Sequence, residues 1–121
     1  LPSPSWGSIT RTGTNISTSG TEIQLRVHDL WYCQFGFTIN DSNANNRYYC
    51  YVFDTYSQQI VAGSGGFPGS GNDHAGTFTM SFYLTGQPQW DLEAKVYLIQ
   101  PPSNPPAGTW DDCVANIVEL A

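Results

Sequence analysis

The sequence predicts an all-β protein, an antiparallel β-sandwich or jelly roll of about eight short strands. Run after run alternates apolar and polar residues at period two, which turns one face of each segment towards a core. Between the runs lie clusters of Gly, Pro, Asn and Ser, the residues that make turns. No stretch repeats apolar residues at helical spacing for long enough to make a long amphipathic helix.

The elements follow in order. Residues 1–7 read as a Pro/Ser-rich linker or hinge, because Pro2 and Pro4 hold the chain towards an extended polyproline geometry. Residues 8–121 then form a single β-sandwich domain, with a first strand over 8–14. Residues 22–28 alternate without a break, placing Ile23, Leu25 and Val27 towards the core. Cys33, Phe35, Phe37 and Ile39 repeat the pattern, with Tyr32, Gln34, Gly36 and Thr38 opposite. Residues 47–54 are apolar or aromatic on both faces: Tyr48, Cys50 and Val52 on one, Tyr49, Tyr51 and Phe53 on the other. Such a strand is central, or its outer face is covered by something. A short strand is expected over 57–62. Residues 77–84 place Phe78, Met80, Phe82 and Leu84 on one face, and 93–100 place Ala94, Val96 and Leu98 inward. The segment 113–120 fits a helical turn through Val114, Ile117 and Val118, or a strand through Val118 and Leu120. A strand is preferred, because no other helix is there to pack on it. The turn clusters are 15–20, 40–46, 63–76, 85–88 and 101–108.

Composition narrows the function. A chain of 121 residues and 13.3 kDa has room for one core. Charged residues make up only 12%, about half the usual share, so the surface is built largely from neutral hydroxyls and amides. Four Lys and Arg against ten Asp and Glu give a net charge of −6. That leaves no basic stripe for a phosphate backbone, so nucleic acid is not an expected partner. No apolar run approaches the roughly 18 residues of a membrane span, so no membrane insertion is expected either. Cys33, Cys50 and Cys113 are odd in number, which argues against a disulfide-dense scaffold. Cys33 and Cys50 both alternate inward, as buried thiols or as a bridged pair. Sequons at Asn15 and Asn40 are the kind that arise by chance in a chain rich in Ser, Thr and Asn.

The search for catalytic chemistry returns little, and a non-enzymatic protein is expected. His28 sits at a strand end beside Asp29, where a solvated hydrogen bond explains it. No Gly-x-Ser-x-Gly elbow is present, and no Cys-x-x-Cys spacing suggests structural zinc. The glycine cluster 63–71 lacks the Lys and the following helix of a phosphate-binding loop. It reads instead as an exposed recognition loop with an apolar tip, Phe67-Pro68, continuing into Asn72, Asp73 and His74. Asp91 and Glu93 share one strand face, but no cleft is implied between them. Asp111 and Asp112, read as a loop, offer oxygen ligands of the type Ca²⁺ takes, with Asp73 or Asn116 as further donors. The stretch from Asp41 to Asn45 begins like an EF-hand loop, but Asn46 stands where Gly is needed and Val52 where the bidentate Glu belongs.

The aromatic surface is the remaining signal. Trp6, Trp90 and Trp110 fall in or beside turns, where they cap core ends or form contacts, and Tyr49, Tyr51 and Phe53 make an outward stripe. The lead-in Leu1-Pro2-Ser3-Pro4-Ser5, the small all-β domain rich in Ser, Thr, Asn and Tyr, and the closing run Ile117-Val118-Glu119-Leu120-Ala121 together resemble one known arrangement. It is the C-terminal protruding domain of small icosahedral RNA-virus capsid proteins, of the tombusvirus or shrimp-type nodavirus kind. The resemblance implies a non-enzymatic capsid projection on the virion surface. It also implies a homodimer about a two-fold axis, and attachment to a host-cell receptor or glycan through distal loops. Tyr49, Tyr51 and Phe53 would then form the dimer contact and the Phe67 loop the exposed tip. The alternative, from aromatic residues placed beside amides, is a carbohydrate-binding lectin or adhesin-type module, secreted or extracellular.

Overall fold

The computed structural model describes residues 8–12, 15–27, 29–41, 47–66, 75–100 and 109–120. The linker at 1–7, Trp6, His28 and the recognition loop Phe67, Pro68, Asn72, Asp73 and His74 lie outside the described residues.

Nine strands follow one another: β1 Ser8–Thr12, β2 Ile16–Ser19, β3 Glu22–Arg26, β4 Leu30–Asn40, β5 Arg47–Asp54, β6 Gln59–Gly66, β7 Ala75–Thr85, β8 Gln89–Gln100 and β9 Thr109–Glu119. No helix occurs among the described residues. The strands form two sheets, a four-stranded one in the order β1-β9-β4-β7 and a five-stranded one in the order β2-β3-β8-β5-β6. With β2 set aside, the remaining strands have jelly-roll order, two nested Greek keys in which consecutive strands mostly alternate between sheets. The β-sandwich expected from the alternating runs is therefore the fold.

β2 is an addition to that plan and has a visible consequence. It pairs antiparallel with β3 along the sheet edge. The extra strand turns the chain once more, so β1 enters the other sheet parallel to β9, with Ser8 opposite Val114 and Thr12 opposite Val118. Every other pairing in the two sheets is antiparallel, as expected.

The core fills the space between the sheets. From the four-stranded sheet come Trp31, Cys33, Phe35, Phe37, Ile39, Phe78, Leu84, Cys113 and Ile117; from the other come Ile23, Leu25, Tyr48, Cys50, Val52, Leu92 and Ala94. The ambiguous segment 113–120 lies almost wholly in a strand because its odd positions meet this core.

Four local expectations are corrected. Residues 15–20 hold strand β2 rather than only a turn. The glycines at 63–66 belong to strand β6, paired with Tyr48 to Tyr51. Trp90 stands inside β8 and is buried, because that strand starts at Gln89. Val27 does not face the core: β3 ends at Arg26, and Val27 is 78% exposed with φ at 76°. The chain leaves the sheet there to cross to β4, and the crossing overrides the alternation.

One end of the sandwich is tied together by a single carboxylate. Asp54 is fully buried at the end of β5 and accepts hydrogen bonds from Tyr56 N (3.2 Å), Ser57 N (3.1 Å), Ser57 Oγ (2.6 Å), Gln87 Nε2 (3.0 Å) and Asp91 N (2.8 Å). Burial pushes its carboxyl up, but the bonds from Ser57, Asp91 and Gln87 outweigh that and hold it below the usual carboxylate value. The β5–β6 turn, the β7–β8 turn and the start of β8 are thereby fixed to one another.

Candidate functional site

The outer face of the five-stranded sheet carries the predicted aromatic stripe. Tyr48, Cys50 and Val52 point inward and are buried, so Tyr49, Tyr51 and Phe53 point out, each half-buried. Part of their cover is the chain's own. The Tyr49 ring lies over Gly63 of the edge strand β6, where a Cβ would come within 2.0 Å of its hydroxyl oxygen. Gly63 is therefore the place where that ring lies, which explains a Gly in the strand interior there. Tyr49 stacks on Tyr51 with centroids 5.9 Å apart and planes at 29°. Lys95 stands 5.7 Å over the Phe53 ring and 3.4 Å from Glu93. The result is a low aromatic surface, edged by a row of ionic and hydroxyl contacts in which Thr21 donates to Glu93 at 2.7 Å and Thr55 to Glu22 at 2.6 Å.

The second predicted region is a loop end. Asn40 pairs with both Ala75 and Thr109, Arg47 with Gln100, and Tyr48 with Gly66. The strand ends that flank 42–46, 67–74 and 101–108 are thus gathered at one end of the sandwich, opposite the end held by Asp54. The base of the first connection is closed by Tyr48, whose hydroxyl donates to the Asp41 carboxylate, both buried. Asp41, the residue that opens the EF-hand-like stretch, is committed to that bond.

Asp111 and Asp112 are not in a loop, as their setting beside Trp110 suggests; both are in strand β9. Asp112 pairs with Thr38 and Trp110 with Ile39, so Asp111 is the extra residue of a β-bulge. The bulge shifts Trp110 from the outward register to the inward one, where its ring packs edge-on against Phe37 at 5.7 Å. Asn116, the proposed further donor, gives its amide hydrogen to Gln34 Oε1 at 3.1 Å. Among the described residues no group of three or more His, Cys, Asp and Glu side chains could hold a metal ion.

The cysteines resolve plainly. Cys33, Cys50 and Cys113 are all buried and reduced, and the Cys33–Cys50 bridge is absent. Burial pushes the Cys33 and Cys50 thiols up to about 12, and the neighbouring Cys113 adds to the effect at Cys50. Asn15 donates to Glu119 Oε1 at 2.8 Å, fastening the start of β2 to the end of β9.

One feature escaped the sequence reading. On the outer face of the four-stranded sheet, cross-strand pairing makes rows. Tyr32 stands beside Tyr83, Gln34 beside Ser81 and Asn116, and Gly36 beside Thr79 and Val114. The Tyr rings contact at 4.9 Å between centroids, at 49° to each other, and Tyr83 is 64% exposed. Next to them a trough of about 410 Å³ opens over Gly36. The alternation already places Tyr32, Gln34 and Gly36 outward; only the register brings Tyr83, Ser81 and Asn116 to them.

No protein-family model, curated protein or solved structure matches the chain. No helix among the described residues is long and apolar enough to cross a membrane.

Proposed function

We propose that this chain is a non-enzymatic surface projection of a viral capsid, which pairs with a second copy of itself and attaches the particle to a host cell. The observation that carries the reading is the jelly-roll strand order, an architecture shared by viral capsid and lectin domains. The fold supports the class by analogy; the faces of the sandwich support the two tasks. The low aromatic surface of Tyr49, Tyr51 and Phe53 suits an isologous contact, in which the same patch meets itself across a two-fold axis. The gathered strand ends at the opposite end from Asp54 suit a distal, cell-facing surface with loops on a rigid base. Many copies on a particle would turn weak single contacts into strong attachment.

Light scattering across a concentration series tests the pairing. A dimer is expected, and Tyr51→Asp is expected to dissociate it while circular dichroism stays unchanged. A strict monomer at high concentration, or a dimer indifferent to Tyr51→Asp, overturns the pairing at this face.

A further inference from the structure

We propose that the outer face of the four-stranded sheet is a binding site for a neutral glycan, with Tyr83 as its stacking platform and the trough over Gly36 as its polar bed. The inference rests on the attachment half of the function proposed above and names the ligand class and the residues.

Three features of the face select that ligand. The first is charge. In a chain of net charge −6, the three rows from Tyr32 to Gly36 hold only uncharged side chains, Tyr, Gln, Asn, Ser, Thr and Val, and the first acidic register position beyond them is Asp112, opposite Thr38. A phosphate or a sialic acid would find no counter-charge in these rows, whereas an uncharged polyhydroxylated ring needs none. The second is the arrangement of donors. Gln34, Asn116 and Ser81 stand in one row, and Asn116 donates to Gln34 Oε1 at 3.1 Å, a bond that does not use the amide hydrogens of Gln34. Amides and hydroxyls in a row present both donors and acceptors, as sugar hydroxyls require.

The third is the ring. Tyr83 is 64% exposed near the end of the edge strand β7, and Tyr32 on β4 braces it at 4.9 Å. A held, exposed ring offers its electron-rich face to the polarised C–H groups of a pyranose without first being ordered. Rows on one strand face repeat about every 7 Å, so the Tyr row and the Gly36 row lie about 14 Å apart along the strands. That length accommodates linked sugar rings rather than one. Gly36 leaves its part of the bed open: a Cβ there would meet Val114 Cγ2 at 3.1 Å.

Saturation-transfer NMR tests the site on the purified chain with three neutral oligosaccharides, lactose, maltotriose and N,N′-diacetylchitobiose, and with 3′-sialyllactose as the anionic comparison. Transfer to the ring C–H protons of at least one neutral sugar is expected. Tyr83→Ala, a surface change whose fold is checked by circular dichroism, is expected to weaken that binding at least tenfold. Tyr56→Ala, at an exposed Tyr on the β5–β6 turn, should leave it within twofold. Absence of transfer to all three neutral sugars, stronger transfer to the anionic one, or indifference to Tyr83→Ala overturns the inference. So does a dimer that Tyr83→Ala dissociates, since a second copy would then occupy this face. Pairing at the other sheet is read separately by Tyr51→Asp, so the two proposals fail independently.

Discussion

Asp54→Asn removes one charge from a buried position without changing its shape, and the hydrogen-bond geometry sets the size of the effect. Oδ1 accepts from Tyr56 N and Asp91 N; Oδ2 accepts from Ser57 N, Ser57 Oγ and Gln87 Nε2. Asn has one acceptor oxygen, so its NH₂ must face one of these groups of donors. Facing the second group is the lesser conflict, because the Ser57 hydroxyl and the Gln87 amide can turn away while the Ser57 backbone N–H cannot. A buried donor without an acceptor costs about 1–3 kcal/mol, and the remaining bonds lose their charge assistance. The sum is about 3 kcal/mol. With an m-value of about 1.5 kcal/mol per molar urea, the unfolding midpoint falls by about 2 M. The carboxyl is held below its ordinary 3.8 in the folded protein. Its contribution is therefore fully present above that value and is lost as pH falls through the lower, folded one. Urea titrations of both proteins should show a constant gap near neutral pH that narrows below about pH 4. A gap under about 0.5 kcal/mol at neutral pH, or one that widens on acidification, would refute the assignment of Asp54 as the organiser of this end.

Two further outcomes follow from local geometry. Val27 carries a β-branched side chain at φ 76°, in the left-handed region, and is 78% exposed; Val27→Asn, which tolerates that region, should stabilise the domain by about 1 kcal/mol and raise Tm by about 4 °C in a thermal melt. A fall in Tm would show that the Val side chain is itself needed. Cys33 and Cys50, with thiols pushed up to about 12, hold at pH 8 on the order of one part in ten thousand as thiolate. They should resist a disulfide reagent in the native protein and react promptly in denaturant, and prompt native labelling at either would contradict their burial.

The sheets were legible because burial on one face imposes period two, and the long strands obey it. Phe35, Phe37 and Ile39 on β4, and Ala94 and Val96 on β8, face inward as the alternation requires. What the alternation misreads are places where another force wins. Trp110 sits an even number of residues from the outward Val114, yet it packs on Phe37, because the bulge at Asp111 shifts the register by one. Val27 continues the pattern of Ile23 and Leu25, yet the crossing to β4 turns it out. Gly63 of β6 looks like loop, because its role in the strand is to leave room for the ring of Tyr49 on the neighbouring strand, which no local propensity records. The aromatic stripe at Tyr49, Tyr51 and Phe53 could be read from one strand alone. The Tyr32 and Tyr83 platform could not, because its residues come from separate strands and only pairing joins them. Asp54 was hidden for the same reason, since its partners lie on two turns and a second strand.

The two ends of the sandwich divide the work by chemistry. At one, short turns converge on a carboxylate that accepts from backbone and side chains alike, so a change in any of these turns is felt by the others through Asp54. At the other, the longer connections begin from strands already closed beneath them: Asn40 is paired on both sides, and Asp41 is bound to Tyr48 below the first connection. The strand ends that flank those connections are closed by their own pairing, whereas the Asp54 end is closed by its turns. The projection proposed above would use this asymmetry to keep its fold while its contact surface varies. The low charge fits the same requirement. With so few ionic partners to preserve, hydroxyls and amides on the outer faces can be exchanged without leaving a buried charge unpaired, since the carboxylates of Asp41 and Asp54 are both satisfied within the two ends themselves.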